Sequence, residues 1–177
     1  MSKARTSGTH YYRGAYADCV RAYDVAASLD FGDPGCVAAT GESQRGGLSI
    51  AAAALEPRLA AHAPDSAFLC NFERPVQIST SGPYLEIEAY LRRWPEKEEQ
   101  VFATLSYFDG MNLATLIKAP GFWSVGASDD VCPPSTTMAA FNHGGGEKEV
   151  RLYRFCYHEV PETHELAKMR RLADRLG

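Results

Sequence analysis

The stretch Cys36–Leu55 reads CVAATGESQRGGLSIAAAAL. Its first part, Cys36–Thr40, is a short apolar run rich in strand-forming residues and is read as a buried strand. Its last part, Ser49–Leu55, is alanine-rich and is read as a helix. Between them lies Gly41-Glu42-Ser43-Gln44-Arg45-Gly46-Gly47, a turn with glycine on both flanks. A serine at such a strand-to-helix corner carries its hydroxyl out past the sheet edge, where it can attack a carbonyl. The amides at the start of the following helix favour negative charge developing at the same point. The segment is therefore read as a nucleophile elbow with Ser43 as nucleophile. The general elbow is Gly-x-Ser-x-Gly, and Arg45 takes the last place here. A plain strand–helix turn, its glycines serving only close packing, meets the same spacing. The rest of the chain has to decide between them.

The chain has 177 residues, which suits one domain with a sizeable core. A formal net charge of -4 without a basic cluster argues against a nucleic-acid partner. No apolar run approaches a membrane span, and the first residues, MSKARTSGTH, carry no signal-peptide apolar core. Cys19, Cys36, Cys70, Cys132 and Cys156 form no C-x-x-C pair and are read as buried, reduced thiols. These features together point to a cytoplasmic protein. No grouping of His, Cys and carboxylates has metal-ligand spacing, so neither a metal nor any other cofactor is expected.

Met1–Thr9 is small and polar and is expected to fray. Tyr11–Leu29 has Tyr16, Val20, Tyr23 and Ala27 on one helical face, and Phe31–Gly35 breaks that helix. After the elbow, strands are expected at Ser66–Cys70, Phe122–Gly126 and Glu149–Phe155. Helices are expected at Leu85–Arg93, from Pro95 to Tyr107, at Asp109–Lys118, Ser135–His143 and Thr163–Leu176. Asn71–Gly82 reads as irregular. Strands that alternate with helices predict an α/β fold, with a mostly parallel sheet and helices on both faces.

A serine nucleophile needs a base and a carboxylate to orient it. One known chain order is Ser, then Asp or Glu, then His, on loops after successive strands. Asp129 follows the Phe122–Gly126 strand and His158 follows the last strand, both at the strand ends where open α/β sheets place their sites. Asp130 fits the spacing as well as Asp129. The rival histidines are less well placed. His143 ends a helix, His164 lies on the closing helix, His62 falls in what reads as a surface loop, and His10 sits in the loose N-terminus.

Several stretches together carry a resemblance: THYYR (Thr9–Arg13), Gly41–Leu48, NFER (Asn71–Arg74), GPYLEIEAYLRR (Gly82–Arg93), TLSYFDGMNL (Thr104–Leu113), DVCPPSTTMAAFNH (Asp130–His143) and His158-Glu159. They resemble the acetyl xylan esterase/cephalosporin-C deacetylase family, carbohydrate esterase family seven of the α/β-hydrolases. The resemblance runs from Tyr11 to the C-terminus. It implies a catalytic triad of Ser43, Asp129 and His158, choosing Asp129 over Asp130, and a backbone oxyanion donor at Gln44. It further implies a domain over residues 11–177, with an insertion at about 71–119 that shapes the acyl pocket and oligomer contacts. The implied activity is hydrolysis of acetyl groups from xylo-oligosaccharides and cephalosporin C-like esters by a compact homo-oligomer.

Two features differ from the family. Glu42 and Arg45 stand where its elbow has glycines. Glu42 adds negative charge beside the future oxyanion, while the Arg45 side chain must reach solvent, find an acidic partner or distort the corner. The family's N-terminal portion, with several strands and a tyrosine whose amide is the second oxyanion donor, has no counterpart in this sequence. The expectation is thus a partial α/β-hydrolase fold whose Cys36–Thr40 strand is a sheet edge, open to pairing with another chain. The alternative function is a weak or inactive remnant, or a subunit completed by a partner.

Overall fold

The computed structural model describes residues 11–177; the N-terminal segment expected to fray lies outside them. Helix α1 (Tyr11–Ser28) buries Tyr16 and Tyr23, two of the four residues on its apolar face. A 3₁₀ turn at Pro34–Cys36, capped by the Asp33 side chain, delivers the chain to strand β1 (Ala38–Glu42). Then come α2 (Gln44–Leu55), β2 (Ala61–Asp65), α3 (Glu73–Ile78), α4 (Tyr84–Arg93), α5 (Glu98–Leu105) and α6 (Gly110–Ala114). The chain closes with β3 (Gly121–Gly126), α7 (Pro134–His143), β4 (Lys148–Tyr153) and α8 (Glu162–Leu176).

All strand pairs are parallel and the sheet order is β1-β2-β3-β4. Crossovers between parallel strands are right-handed, so a sequential order places every connecting helix on one face. Residues alternate accordingly. Trp123 joins Ile50, Ala53 and Tyr23 in a core beneath the connecting helices. Its neighbour Phe122 points the other way, meeting Ala61, Ala63 and Leu172 of α8. Thus α8 covers the second face, and the α/β fold with helices on both faces is what the structure has. Strand β1 lies at one end of the sheet and β4 at the other.

Several sequence-based boundaries move. The second strand is Ala61–Asp65, and Ser66–Cys70, expected to be that strand, is a buried bend with Ser66 and Leu69 at positive φ. Periodicity favoured the more apolar run, but the strand is Ala61–Asp65, whose small alanines pack with Phe122 against Leu172 of α8. Pro64 lies inside this strand. His62 N–H bonds Pro120 O and Ser66 N–H bonds Ser124 O, and between them Pro64 has no amide to offer β3. His62 consequently belongs to β2 and is 1% exposed, contrary to its reading as a surface loop. Helix α2 starts at Gln44, five residues earlier than its alanine run suggests, and Asn71–Gly82 contains the short helix α3. The five cysteines are free. Cys36 is exposed, where burial was expected.

Candidate active site

Ser43 occupies the single residue between β1 and α2, with φ 57° and ψ -120°. That region is costly for a residue with a side chain, and the backbone holds it there. Ser43 N–H bonds Asp65 O at 3.0 Å, and Ser43 O accepts from Gly47 N–H and Phe68 N–H, each at 3.0 Å. A serine in the N-cap place ordinarily spends its hydroxyl on a helix amide. Here it makes no cap bond. The hydroxyl instead lies 2.9 Å from His158 Nε2.

The two flanking substitutions sort themselves out. A Cβ on Gly47 would sit 2.3 Å from Phe68 O, so this glycine takes the close packing of α2 on the loop after β2. Arg45 is not in that contact. It is exposed, its Cβ lying against Gly41, which has no Cβ to collide with it. The corner therefore accepts an arginine by sending it to solvent.

His158 lies on the loop after β4, and its Nδ1 is 2.8 Å from Asp129 Oδ2. Asp129 lies on the loop after β3. Its Oδ1 accepts from Val131 N–H (2.9 Å) and Cys132 N–H (2.8 Å), which leaves Oδ2 aimed at the ring. A carboxylate only accepts, so Nδ1 donates, and in the neutral ring Nε2 presents its lone pair to the Ser43 hydroxyl. The Asp129 side chain is 1% exposed and that of His158 22%, so the carboxylate is shielded while the imidazole stays reachable. The hydrogen bond that His158 donates to Asp129 holds its pKa above the ordinary 6.5 against partial burial, helped by the charges of Asp129, Glu42 and Asp130. Asp130, the rival carboxylate, accepts from the Thr80 and Ser81 hydroxyls instead. Its pKa is lowered by those same bonds.

Gln44 is the first residue of α2, a position whose amide has no partner within the helix. Its side chain donates to Tyr12 Oη at 3.3 Å. Ser43 and Gln44 open on a cavity of about 350 Å³ walled by Phe68, Phe72, Ile87 and Leu105, with Glu86 at its margin. Such apolar walls suit a small acyl group.

Two neighbours escaped sequence reasoning. The Cys132 thiol is within hydrogen-bonding reach of Ser43, and burial pushes its pKa well up, so it stays neutral beside the hydroxyl. Glu42, flagged only as a charge near the oxyanion, also faces the imidazole. Of the other histidines, exposed His143 bonds Ala139 O in its own helix, while buried His164 bonds Asp65 on β2. His10 lies outside the described residues. Among the described residues no cluster of three or more His, Cys, Asp or Glu could hold a metal ion, and no helix is long and apolar enough to cross a membrane.

The acetyl xylan esterase family model matches residues 4–176. The chain is similar to acetyl esterase Axe7A of Xylanibacter ruminicola, 32% identical over 134 residues that make up 75% of this chain and 29% of that protein. It superposes on the acetyl xylan esterase from Paenibacillus sp. R4 with a TM-score of 0.91 and 47% identity, over 95% of this chain and 54% of that one. Against acetyl xylan esterase 1 from Thermoanaerobacterium sp. JW/SL YS485 the TM-score is 0.92 at 30% identity, over 98% and 56% of the two chains. The chain thus spans little more than half the length of these solved relatives.

Proposed function

The chain belongs to the acetyl xylan esterase family, and on that premise we propose that it is a serine esterase removing acetyl groups from acetylated xylo-oligosaccharides and cephalosporin C-like esters. Supporting this is the hydrogen-bonded line from Ser43 through His158 to Asp129, which joins the loops after β1, β4 and β3 at one edge of the sheet. Ser43 Oγ attacks the acetyl carbonyl while His158 Nε2 takes its proton. The Gln44 amide, aided by the start of α2, binds the oxyanion. The imidazolium, steadied by Asp129, then protonates the departing sugar oxygen. Water, activated by the same imidazole, clears the acetyl group from Ser43. The shielded carboxylate keeps the ring in the tautomer this sequence of transfers needs.

The test is p-nitrophenyl acetate hydrolysis by the chain and by its Ser43→Ala variant, with oligomeric state recorded by sedimentation. Turnover that disappears in the variant is expected. Equal background rates from folded protein would refute an esterase made by this chain alone. They would favour a second reading, a subunit completed by another chain, which rests on the outer edge of β1 and the apolar groove beside it lined by Ala22, Tyr23, Val37 and Leu48.

A further inference from the structure

Beneath the catalytic edge lies a second polar cluster that the esterase mechanism does not use. The Asp65 carboxylate, at the end of β2, is fully buried. It accepts from Ser124 Oγ on β3 at 2.5 Å, His164 Nε2 at 2.9 Å and Lys168 Nζ at 2.6 Å. His164 Nδ1 in turn meets Tyr153 Oη, at the end of β4, at 2.9 Å. Lys168 also reaches Glu165 at 2.6 Å. The His164 ring stacks on Phe122, 4.9 Å between centroids. Six side chains, Asp65, Ser124, Tyr153, His164, Glu165 and Lys168, from three adjacent strands and α8 thus form one network. Burial opposes the charge on Asp65, but the bonds from His164, Lys168 and Ser124 overcome it and hold its pKa below the usual carboxylate value.

A buried ionic network is a poor source of stability compared with apolar side chains of the same volume, although its directional bonds rigidify what they join. What this one joins is specific. The main-chain carbonyl of Asp65 accepts the Ser43 amide, so the residue that anchors α8 with its carboxylate also anchors the nucleophile with its backbone. His164 N–H bonds Pro161 O, and Pro161 lies only three residues beyond His158. The front of the His158 loop is fixed separately, by Ser128 N–H on Cys156 O and Ala127 N–H on Tyr153 O. Its rear depends on α8.

We propose that Asp65, His164 and Lys168 are positioning residues that set the Ser43–His158 separation by locking α8 to the end of β2. This rests on the esterase reading, since only a base that must meet a nucleophile needs the two held in register. A misplacement of about 1 Å costs up to about a hundredfold in rate.

The test compares the wild-type chain with Asp65→Asn/Lys168→Met, His164→Ala and His164→Gln. The double variant removes the carboxylate charge without stranding a buried ammonium, and glutamine restores a donor near the His164 Nε2 position. Each is assayed well below its own melting temperature for kcat and KM on p-nitrophenyl acetate, and the ring resonances of His158 are followed by NMR. The expected result is a kcat lower by about tenfold or more in the first two variants with KM within about twofold, shifted His158 resonances, and substantial recovery in His164→Gln. Folded variants with wild-type kcat and unmoved His158 resonances would overturn the proposal. Should the wild type show no Ser43-dependent turnover, the esterase reading fails by itself. The His158 resonances then decide: unmoved they overturn the positioning role, shifted they uphold it.

Discussion

Replacing His62 by asparagine removes a proton acceptor that the folded protein declines to use. His62 sits in β2 at 1% exposure. Its Nδ1 donates to Pro120 O at 3.2 Å, and its ring stands edge-on to Trp123, centroids 5.5 Å apart. His62 Nε2 and Trp123 Nε1 have no hydrogen-bond partner among the described residues. Both nitrogens crowd Gly121, where a Cβ would lie 2.9 Å from the first and 2.6 Å from the second. Nothing there welcomes a second ring proton, and burial lowers the His62 pKa from 6.5 to about 4, the bond to Pro120 O opposing only in part. The unfolded chain takes that proton near 6.5, so the group's contribution to stability is complete above 6.5 and is lost as the pH falls towards 4. At roughly 1.4 kcal/mol per pH unit the loss is about 3 kcal/mol, a large share of a typical domain's stability. Urea unfolding at a series of pH values between 7 and 4, followed by tryptophan fluorescence, measures it. The asparagine variant starts less stable, because it leaves a cavity, but its stability should fall by about 3 kcal/mol less over that range. Parallel loss in the two proteins would refute the argument, as would a His62 ring titrating near 6.5 in the folded wild type.

Two further outcomes concern the base. In the proposed mechanism His158 acts only when neutral, and its pKa is held above 6.5, so kcat/KM for p-nitrophenyl acetate should fall on acidification with a midpoint above 6.5. Because the Glu42 charge contributes to that hold, Glu42→Gln should move the midpoint to lower pH, read from the same pH–rate profile. The linked stability has the opposite sense to that of His62: it is fully present below 6.5 and is lost as the pH rises through the folded value. Gly126, at the end of β3, approaches the His158 loop so closely that a Cβ would lie 2.1 Å from Tyr157 O. Gly126→Ala should therefore displace that loop and lower kcat/KM by about tenfold or more, beyond what any loss of melting temperature explains.

The elbow was legible because its chemistry is local. A strand, a glycine-flanked serine and an alanine-rich helix lie within twenty consecutive residues, and the packing that completes them lies on Gly46 and Gly47 of the same stretch. Asp129 and His158 were legible by their place after strands. Spacing alone left Asp129 and Asp130 open and only the family resemblance chose Asp129, since the choice turns on which carboxylate finds the Val131 and Cys132 amides and which finds the Thr80 and Ser81 hydroxyls. The position of β2 was misread because its apolar signal is weaker than that of the loop after it. Ala61-His62-Ala63-Pro64-Asp65 carries a histidine, a proline and an aspartate, all buried, and the contacts of His62 with Trp123 and of Asp65 with α8 are ones that no local pattern encodes. His164 and Lys168 were hidden for the same reason: on the helical pattern they are ordinary polar positions, and only Asp65, some hundred residues earlier, makes their burial tolerable.

Glu42 and Arg45 show how a departure from glycine acts differently at two places in one turn. Arg45 leaves the close contacts to its glycine neighbours and takes its charge into solvent, so its cost at the corner is small. Glu42 stays half-buried, where its charge bears on the imidazole. Near a base that becomes a cation as the nucleophile attacks, a carboxylate stabilises the imidazolium and raises its basicity. Near an oxyanion it repels the charge that forms. The balance depends on relative distance and shielding. The Gln44 amide and the positive end of α2 stand at the start of that helix, while Glu42 ends the strand on the other side of Ser43. The residue is therefore expected to shape the pH dependence of the reaction more than its limiting rate. Glu42→Gln separates the two effects: a lower acid midpoint with little change in the plateau follows from action on His158, and a raised plateau from relief of the oxyanion.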